Sequence, residues 1–330
     1  MVKKTMLFFL MCLVVGEAFA TGGLENRNSS SDVENWPTKP LTFLVPVSPG
    51  GSTDLMVRFM ATALEKQLGQ RVNVINRPGA GGWICWNELI NSRPDGYTVG
   101  VATAVGFALG HYDQANPRSE TIDDFDLICN HVTDMSVIGI RNDEQRFTDV
   151  ASLIAYARNN TILTAASALG ILSDDATLIK KLEVQQGVKV DIVQVPGAKE
   201  VETMFLSKDI DLYLGNVGDI RQQHLRKDFK ILCVFGPKRS ELIPDVPTWE
   251  ELGYPSINND SSRGYTFPKG VDPKIKAKMA EAIKNAVYDP LCKDKLDELG
   301  AETNFLDDKG FYNLMQDMID DALKVYGISR

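Results

Sequence analysis

Histidine is scarce in this chain. His111, His131 and His224 are the only three in 330 residues, and none stands near another. That spacing excludes a close-set histidine zinc site. No G-x-S-x-G turn is present to place a serine nucleophile, and no GK[ST] ending closes a nucleotide loop. The sequence therefore calls for no metal and no cofactor. Cysteine is sparse too. Cys85, Cys129, Cys233 and Cys292 follow an early Cys12, and their wide separations match no zinc or redox pair. Basic charge is in deficit, with 35 Lys and Arg against 44 Asp and Glu for a net charge of −9. That balance argues against nucleic acid as a partner. It leaves room for a local anion site, because a few near donors outweigh a screened distant field. Beyond the N-terminal stretch no run approaches the roughly 20 apolar residues of a bilayer span.

The first residues have the layout of a secretory signal. Lys3 and Lys4 give a positive start, Thr5–Val15 is almost wholly apolar, and Ala18-Phe-Ala20 supplies a small-x-small cleavage site. Cleavage after Ala20 and a periplasmic location are expected. Residues 21–35, rich in Ser and Asn, read as a flexible leader. Four cysteines in an oxidising compartment allow three full pairings. Cys129 and Cys233 lie in apolar strand-like runs, where buried thiols are as good a reading as bridges.

From Trp36 onward the chain alternates short apolar strands with amphipathic helices. Strands are expected at 41–47, 71–75 and 97–102, at 127–129 and 136–140, and at 161–165, 188–193, 212–214 and 229–235. Helices are expected at 53–68, 83–91, 149–158, 174–186 and 198–205, followed by a helical C-terminal third at 273–288, 290–299 and 309–326. In the first helix the apolar stripe is Met56, Phe59, Met60, Ala63, Leu64 and Leu68, and Gly69 stops it. This alternation means an α/β fold with a mixed, mostly parallel sheet arrangement. The length suits two lobes around a ligand cleft, taken as 36–139 with 250–330 and as 140–249.

Three loops carry candidate chemistry. The first, Ser48-Pro-Gly-Gly-Ser-Thr-Asp54, follows a strand and opens a helix. Gly50, Gly51 and Ser52 offer backbone N–H groups, while Ser48, Ser52 and Thr53 add hydroxyls, enough to hold a carboxylate. Asp54 suits a helix start, and if turned to the cleft it would attract an amine and repel an acid. The second, Arg77–Gly82, matches no complete phosphate motif. The third runs from Ala165 to Asp175, with Ser167 as a hydroxyl donor and Ser173 or Asp174 as a helix cap. The pairs Asp123/Asp124 and Asp174/Asp175 read as solvated or capping residues.

The ordered series Pro46-Val-Ser-Pro-Gly-Gly-Ser-Thr-Asp54, Leu68-Gly-Gln, Asn76-Arg-Pro-Gly-Ala-Gly-Gly82 and Pro94-Asp-Gly-Tyr97 resembles the extracytoplasmic solute-binding proteins of tripartite tricarboxylate transporters, the Bug or TctC-like receptors. So do Val195-Pro, Ile243-Pro-Asp-Val-Pro-Thr248, Glu251-Leu-Gly-Tyr254 and Leu299-Gly-Ala301. The resemblance spans the chain after the leader. It implies a two-lobed periplasmic-binding-protein-like fold that closes on a small organic acid or amino acid and delivers it, without catalysis, to a two-component membrane permease. It also adds Thr103, Ser167 and Asn216 to the first loop as ligand contacts. A monomer is expected. The departures are a third loop carrying Leu169, Ile171 and Leu172 without the usual histidine, the turn Pro196-Gly-Ala-Lys199, and Ser261–Tyr265 in place of a tryptophan-containing strand. They favour one carboxylate at the first loop over a second opposite it. Beside transport stand two other readings: a receptor presenting ligand to a signalling partner and, less favoured by the residues, a cofactor-free periplasmic hydrolase.

Overall fold

A computed structural model describes residues 33–114, 116–159, 162–167, 173–195 and 197–329. The export signal, most of the leader, Leu169, Ile171, Leu172 and Pro196 lie outside them. The main compact unit is Trp36–Arg330.

Strand β1 (Leu41–Val45) is apolar enough to be buried on both faces, and it lies between β2 (Val72–Asn76) and β3 (Thr98–Thr103), parallel to each. Helix α1 (Ser52–Leu68) makes the first crossover and buries Met56, Met60, Ala63 and Leu64 of the stripe read from sequence. Helix α2 (Trp83–Ile90) makes the second, with Trp83 and Trp86 packed edge to face. The short α3 (Ala104–Leu109) follows β3 directly and brings Phe107 against both tryptophans.

The long strand β4 (Phe125–Arg141) is the main departure from the sequence expectation, which has two short strands here. Polar Asn130, His131, Thr133 and Asp134 interrupt its apolar pattern. Neighbouring strands satisfy several of those groups, so the polar stretch stays in the strand. Residues 125–135 pair with β9 (Asp260–Pro268), and residues 130–133 also with β10 (Glu302–Leu306). From Ser136 onward β4 pairs instead with β7 (Tyr213–Asn216) and β8 (Phe229–Phe235). The same strand thus runs through two sheet regions. In the second, Ile138 and Ile140 enter one core while Met135 and Val137 enter another, the period-two alternation of a sheet covered on both faces.

All four neighbours of β4 run antiparallel to it, as does β9 to β3. The sheet is mixed as expected, but its parallel part is smaller than helix–strand alternation suggests. It comprises the β1, β2 and β3 unit and a separate pair, β5 (Leu163–Ser167) with β6 (Val190–Gln194). Around these pack α4 (Val150–Arg158), α5 (Asp174–Gln186), α6 (Ala198–Leu206) and α7 (Val217–Leu225). Three C-terminal helices follow, α8 (Pro273–Val287), α9 (Pro290–Leu299) and α10 (Asp308–Tyr326). Their starts are written in the sequence: Asp272 and Asp289 each cap a helix with proline in its first turn, and Asp307 caps α10.

All four cysteines from Cys85 to Cys292 are buried free thiols. Burial pushes Cys85 up to about 12 and Cys292 to about 11, so both stay protonated and unreactive.

Gly264 marks the tightest approach in the central sheet. A Cβ there would stand 2.3 Å from the Cys129 carbonyl oxygen and 2.5 Å from the Phe311 ring. Gly264→Ala is therefore expected to lower stability by about 1–3 kcal/mol through overpacking. Urea unfolding would register this as a lower midpoint at unchanged slope, and an unchanged midpoint would refute the packing of α10 on β9.

Candidate ligand-binding site

The first loop is set by hydrogen bonds, not by propensity alone. Gly50 sits at φ 91°, a conformation that suits glycine, and its N–H donates to Asp54 Oδ2 at 2.8 Å. The same oxygen accepts from Arg58 Nε at 3.0 Å, and Oδ1 accepts from Asn76 Nδ2 at 2.8 Å. Asn76 also donates to the Val47 carbonyl at 2.9 Å, tying the loop to the end of β2. Burial works against the charge on Asp54. Arg58, Gly50 and Asn76 outweigh it and hold the carboxyl below its usual value.

With Asp54 so engaged, the start of α1 is left open. Its N-cap is Gly51, in extended conformation and with no side-chain cap. The first intrahelical bond is Leu55 N–H to Gly51 O at 3.0 Å, so the earlier N–H groups of the turn have no intrahelical acceptor. Val47, Ser48, Pro49, Gly51, Ser52 and Thr53 form one wall of a cavity of about 110 Å³.

Three more helix starts complete the cavity. Gly197 and the first turn of α6 face the loop, and a Cβ on Gly197 would lie 3.9 Å from Ser48 Cβ. Asn216 and Asp219 bring in the start of α7, while Asp174 and Asp175 bring in that of α5. Ser52 Oγ donates to Asp219 Oδ1 at 2.9 Å, joining the first wall to the opposite one. The Asn216 N–H donates to the other Asp219 oxygen at 3.2 Å. The cavity is thus built from helix N-termini, whose partial positive charge favours anions. All four starts carry an acid in the first turn, but Asp54 of α1 is bonded away behind the wall and Glu200 of α6 is exposed, whereas Asp174, Asp175 and Asp219 are buried or half-buried in the wall.

Strand β9 closes the floor with Ser261 and Arg263. Arg263 is only 4% exposed, and its Nη1 donates to the buried Asp134 Oδ2 at 3.2 Å. Its Nε has no partner among the described residues. Burial raises Asp134 to about 7 although Arg263 opposes the shift, and Asp219 adds to it. Burial also raises Asp174. For Asp175 burial and then the neighbouring Asp174 push the carboxyl well up.

Of the residues singled out from sequence, Ser48, Gly51, Ser52, Thr53 and Asn216 meet at the cavity. Gly50 and Asp54 do not line it, since each satisfies the other behind the wall. Thr103 is buried directly across the β3–β9 ladder from Arg263, its Oγ1 without a partner among the described residues. Ser167 is buried behind Ser173, with 2.8 Å between the hydroxyls, and bonds the Asp175 carboxyl. The pair Asp174/Asp175 corrects the solvated reading: both line the cavity, and Asp174 is only 5% exposed. Asp123 and Asp124 are exposed as expected. Asp219, Tyr213 and Arg263 went unmarked in the sequence. For Arg263 the available signal was the spacing Ser261, Arg263, Tyr265, which places a charge on the face of a strand shared with an aromatic.

A family model described as tripartite tricarboxylate transporter family receptor matches residues 56–325. Protein BugT of Bordetella pertussis is 28% identical over 277 residues, which cover 83% of each chain. Among solved structures, the periplasmic binding protein BugD aligns with a TM-score of 0.80 at 26% identity, over 88% of this chain and 98% of that one. MatC of Rhodopseudomonas palustris, solved with malate, gives a TM-score of 0.80 over 88% and 99% of the two chains. At 22% identity that likeness is one of fold. The architecture is that of a two-lobed periplasmic binding protein.

Asp54→Asn keeps the side-chain shape and removes the charge that Arg58 and the Gly50 N–H answer. It is expected to cost about 1.5–3 kcal/mol at neutral pH. The folded carboxyl lies below the unfolded value of 3.8, so its contribution is present above that value and lost as pH falls through the folded one. The gap between wild type and variant should therefore shrink in acid. Denaturant titrations from pH 7 down to pH 3 would check this, and a gap that widens in acid would contradict the assigned network.

Proposed function

We infer function from a premise that the matches establish: the chain belongs to the tripartite tricarboxylate transporter receptor family. That family is one of solute-binding receptors. On our reading this chain is exported, with cleavage after Ala20, and captures a small organic carboxylate in the periplasm. It then delivers the ligand to a two-component membrane permease. The ligand is held non-covalently and no cofactor takes part.

The observation that carries this reading is the open start of α1 on the cavity wall, with Asp54 bonded away behind it. The N–H groups of Gly51, Ser52 and Thr53, with the hydroxyls of Ser48 and Thr53, orient the carboxylate. Asn216 and the start of α5 read the rest of the ligand from the opposite wall. Residues 36–139 and 250–330 form one lobe and 140–249 the other, with β4 passing between them. A ligand that touches both walls favours the closed arrangement, in which Ser52 meets Asp219. The permease reads that closed surface.

Gly51→Val tests the cradle. Gly51 has an extended φ of −78° and nothing within 4 Å of an added Cβ, so the fold accommodates a side chain there. The variant is expected to unfold at the wild-type midpoint while binding at least about tenfold more weakly, a loss of about 1.4 kcal/mol. Calorimetry on ligand-stripped mature protein with a panel of organic acids and amino acids supplies the measurement. A folded variant with undiminished affinity would remove the first loop from the site.

A further inference from the structure

We propose that the ligand is a free amino acid, held with its carboxylate at the start of α1 beside Arg263 and its ammonium group among Asp174, Asp175 and Asp219. This rests on the receptor reading above and narrows it to a zwitterion.

Charge balance is the first reason. Lys199 and Glu200 line the cavity but are exposed, and they offset each other. The remaining charged lining is Asp174, Asp175 and Asp219 against Arg263 alone, and Arg263 already answers Asp134 behind it. A dicarboxylate would push its second carboxylate into that acidic wall. An ammonium group instead supplies the missing positive charge in a poorly solvated place, where charge-assisted hydrogen bonds are strongest.

The unused donor is the second, independent reason. Arg263 is nine-tenths buried and lines the cavity, and its Nε has no partner among the described residues. A buried donor of this kind is costly unless a ligand satisfies it. Arg263 pairs in register with Thr103 at the C-terminal end of β3. The parallel β1 ends at the same edge and leads into the Ser48–Thr53 loop. The Arg263 guanidinium and the open α1 turn therefore border one cavity, a natural seat for one carboxylate. The acidic starts of α5 and α7 stand opposite. Polarity across the cavity is fixed by which helix starts keep an acid at the wall: α5 and α7 do, while Asp54 of α1 is bonded away. The volume of about 110 Å³ also favours a small ligand.

The test is calorimetry on the ligand-stripped mature chain near pH 7, with amino acids titrated beside their deamino counterparts. Alanine is paired with propionate, aspartate with succinate, glutamate with glutarate and leucine with 4-methylpentanoate, and the other amino acids are added singly. At least one amino acid is expected to bind at least about tenfold more tightly than every deamino acid. Tighter binding of a deamino acid would overturn the zwitterion and leave the carboxylate receptor standing. A folded protein that binds no compound of either kind would overturn both. Asp175→Asn supplies a second readout, since it keeps the bond to Ser167 while removing the charge. The preference for the amino acid over its deamino partner should collapse by at least about tenfold in this variant. A preserved preference would overturn the placement of the ammonium group.

Discussion

The buried pair of Arg263 and Asp134 is the constraint on which the site is built. Asp134 lies on β4 just before the strand changes partners, and Arg263 lies on β9 beside it. The second Asp134 oxygen accepts the Gly218 N–H at 3.0 Å, and its backbone carbonyl accepts from Asn216 Nδ2 at 3.0 Å. One residue thus fixes the start of α7 against the floor of the cavity. A buried ion pair is a poor source of net stability, since desolvation consumes most of the attraction. The rise of Asp134 to about 7 shows burial outweighing its partners. Its consequence is positional: Asp134 holds the Asn216 side chain and the Gly218 N–H, and so sets Asn216 and Asp219 at the cavity.

The same economy of hydrogen bonds explains why one helix start is open and another is not. Asp54 stands in the first turn of α1, where a carboxylate normally answers the helix end. Asn76 and Arg58 draw it backward, and it answers Gly50 instead. At α5 Asn216 and Ser167 bond Asp174 and Asp175 without drawing them from the cavity. Ser173 takes the capping role by accepting the Ala176 N–H at 3.1 Å, and the two acids remain at the cavity. Two loops that each join a strand end to a helix start bearing an acid therefore acquire opposite electrostatic character.

This contrast marks what the sequence could reveal. The units from β1 to β3 were legible because glycine turns, apolar periodicity and stop residues all agree within each segment. The C-terminal helices were legible through their aspartate caps and prolines. The length of β4 was hidden because Asn130, His131, Thr133 and Asp134 look like a loop until β9 and β10 flank them. The first loop was legible as a cradle, yet the role of Asp54 depends on Asn76, which only tertiary folding brings near. Asp174 and Asp175 resembled an exposed helix start, and no local pattern distinguishes a start that faces solvent from one that faces a cavity. Arg263 required recognition of β9 as a strand, and the two serines before it and the glycine after it masked it.

Charge balance also links selectivity to closure. Joining the two walls brings Asp219 to Ser52 and draws the three carboxylates of one wall out of water on the same cavity as the one guanidinium of the other. A hydrogen bond to a charged group contributes about 1.5–3 kcal/mol, while like charges drawn from water oppose the approach. An empty cavity therefore closes against its own acids unless they take up protons, which is the direction in which burial moves Asp174 and Asp175. A ligand shifts a conformational equilibrium only through contacts that differ between the two states. On the amino-acid reading a zwitterion makes such a contact, because its carboxylate sits at the α1 start on one wall and its ammonium group at the acids on the other, and both are answered only when the walls have met. A carboxylate at the α1 start touches one wall whether the other is near or far. On that reading neither charge alone joins the walls, and the two on one ligand do.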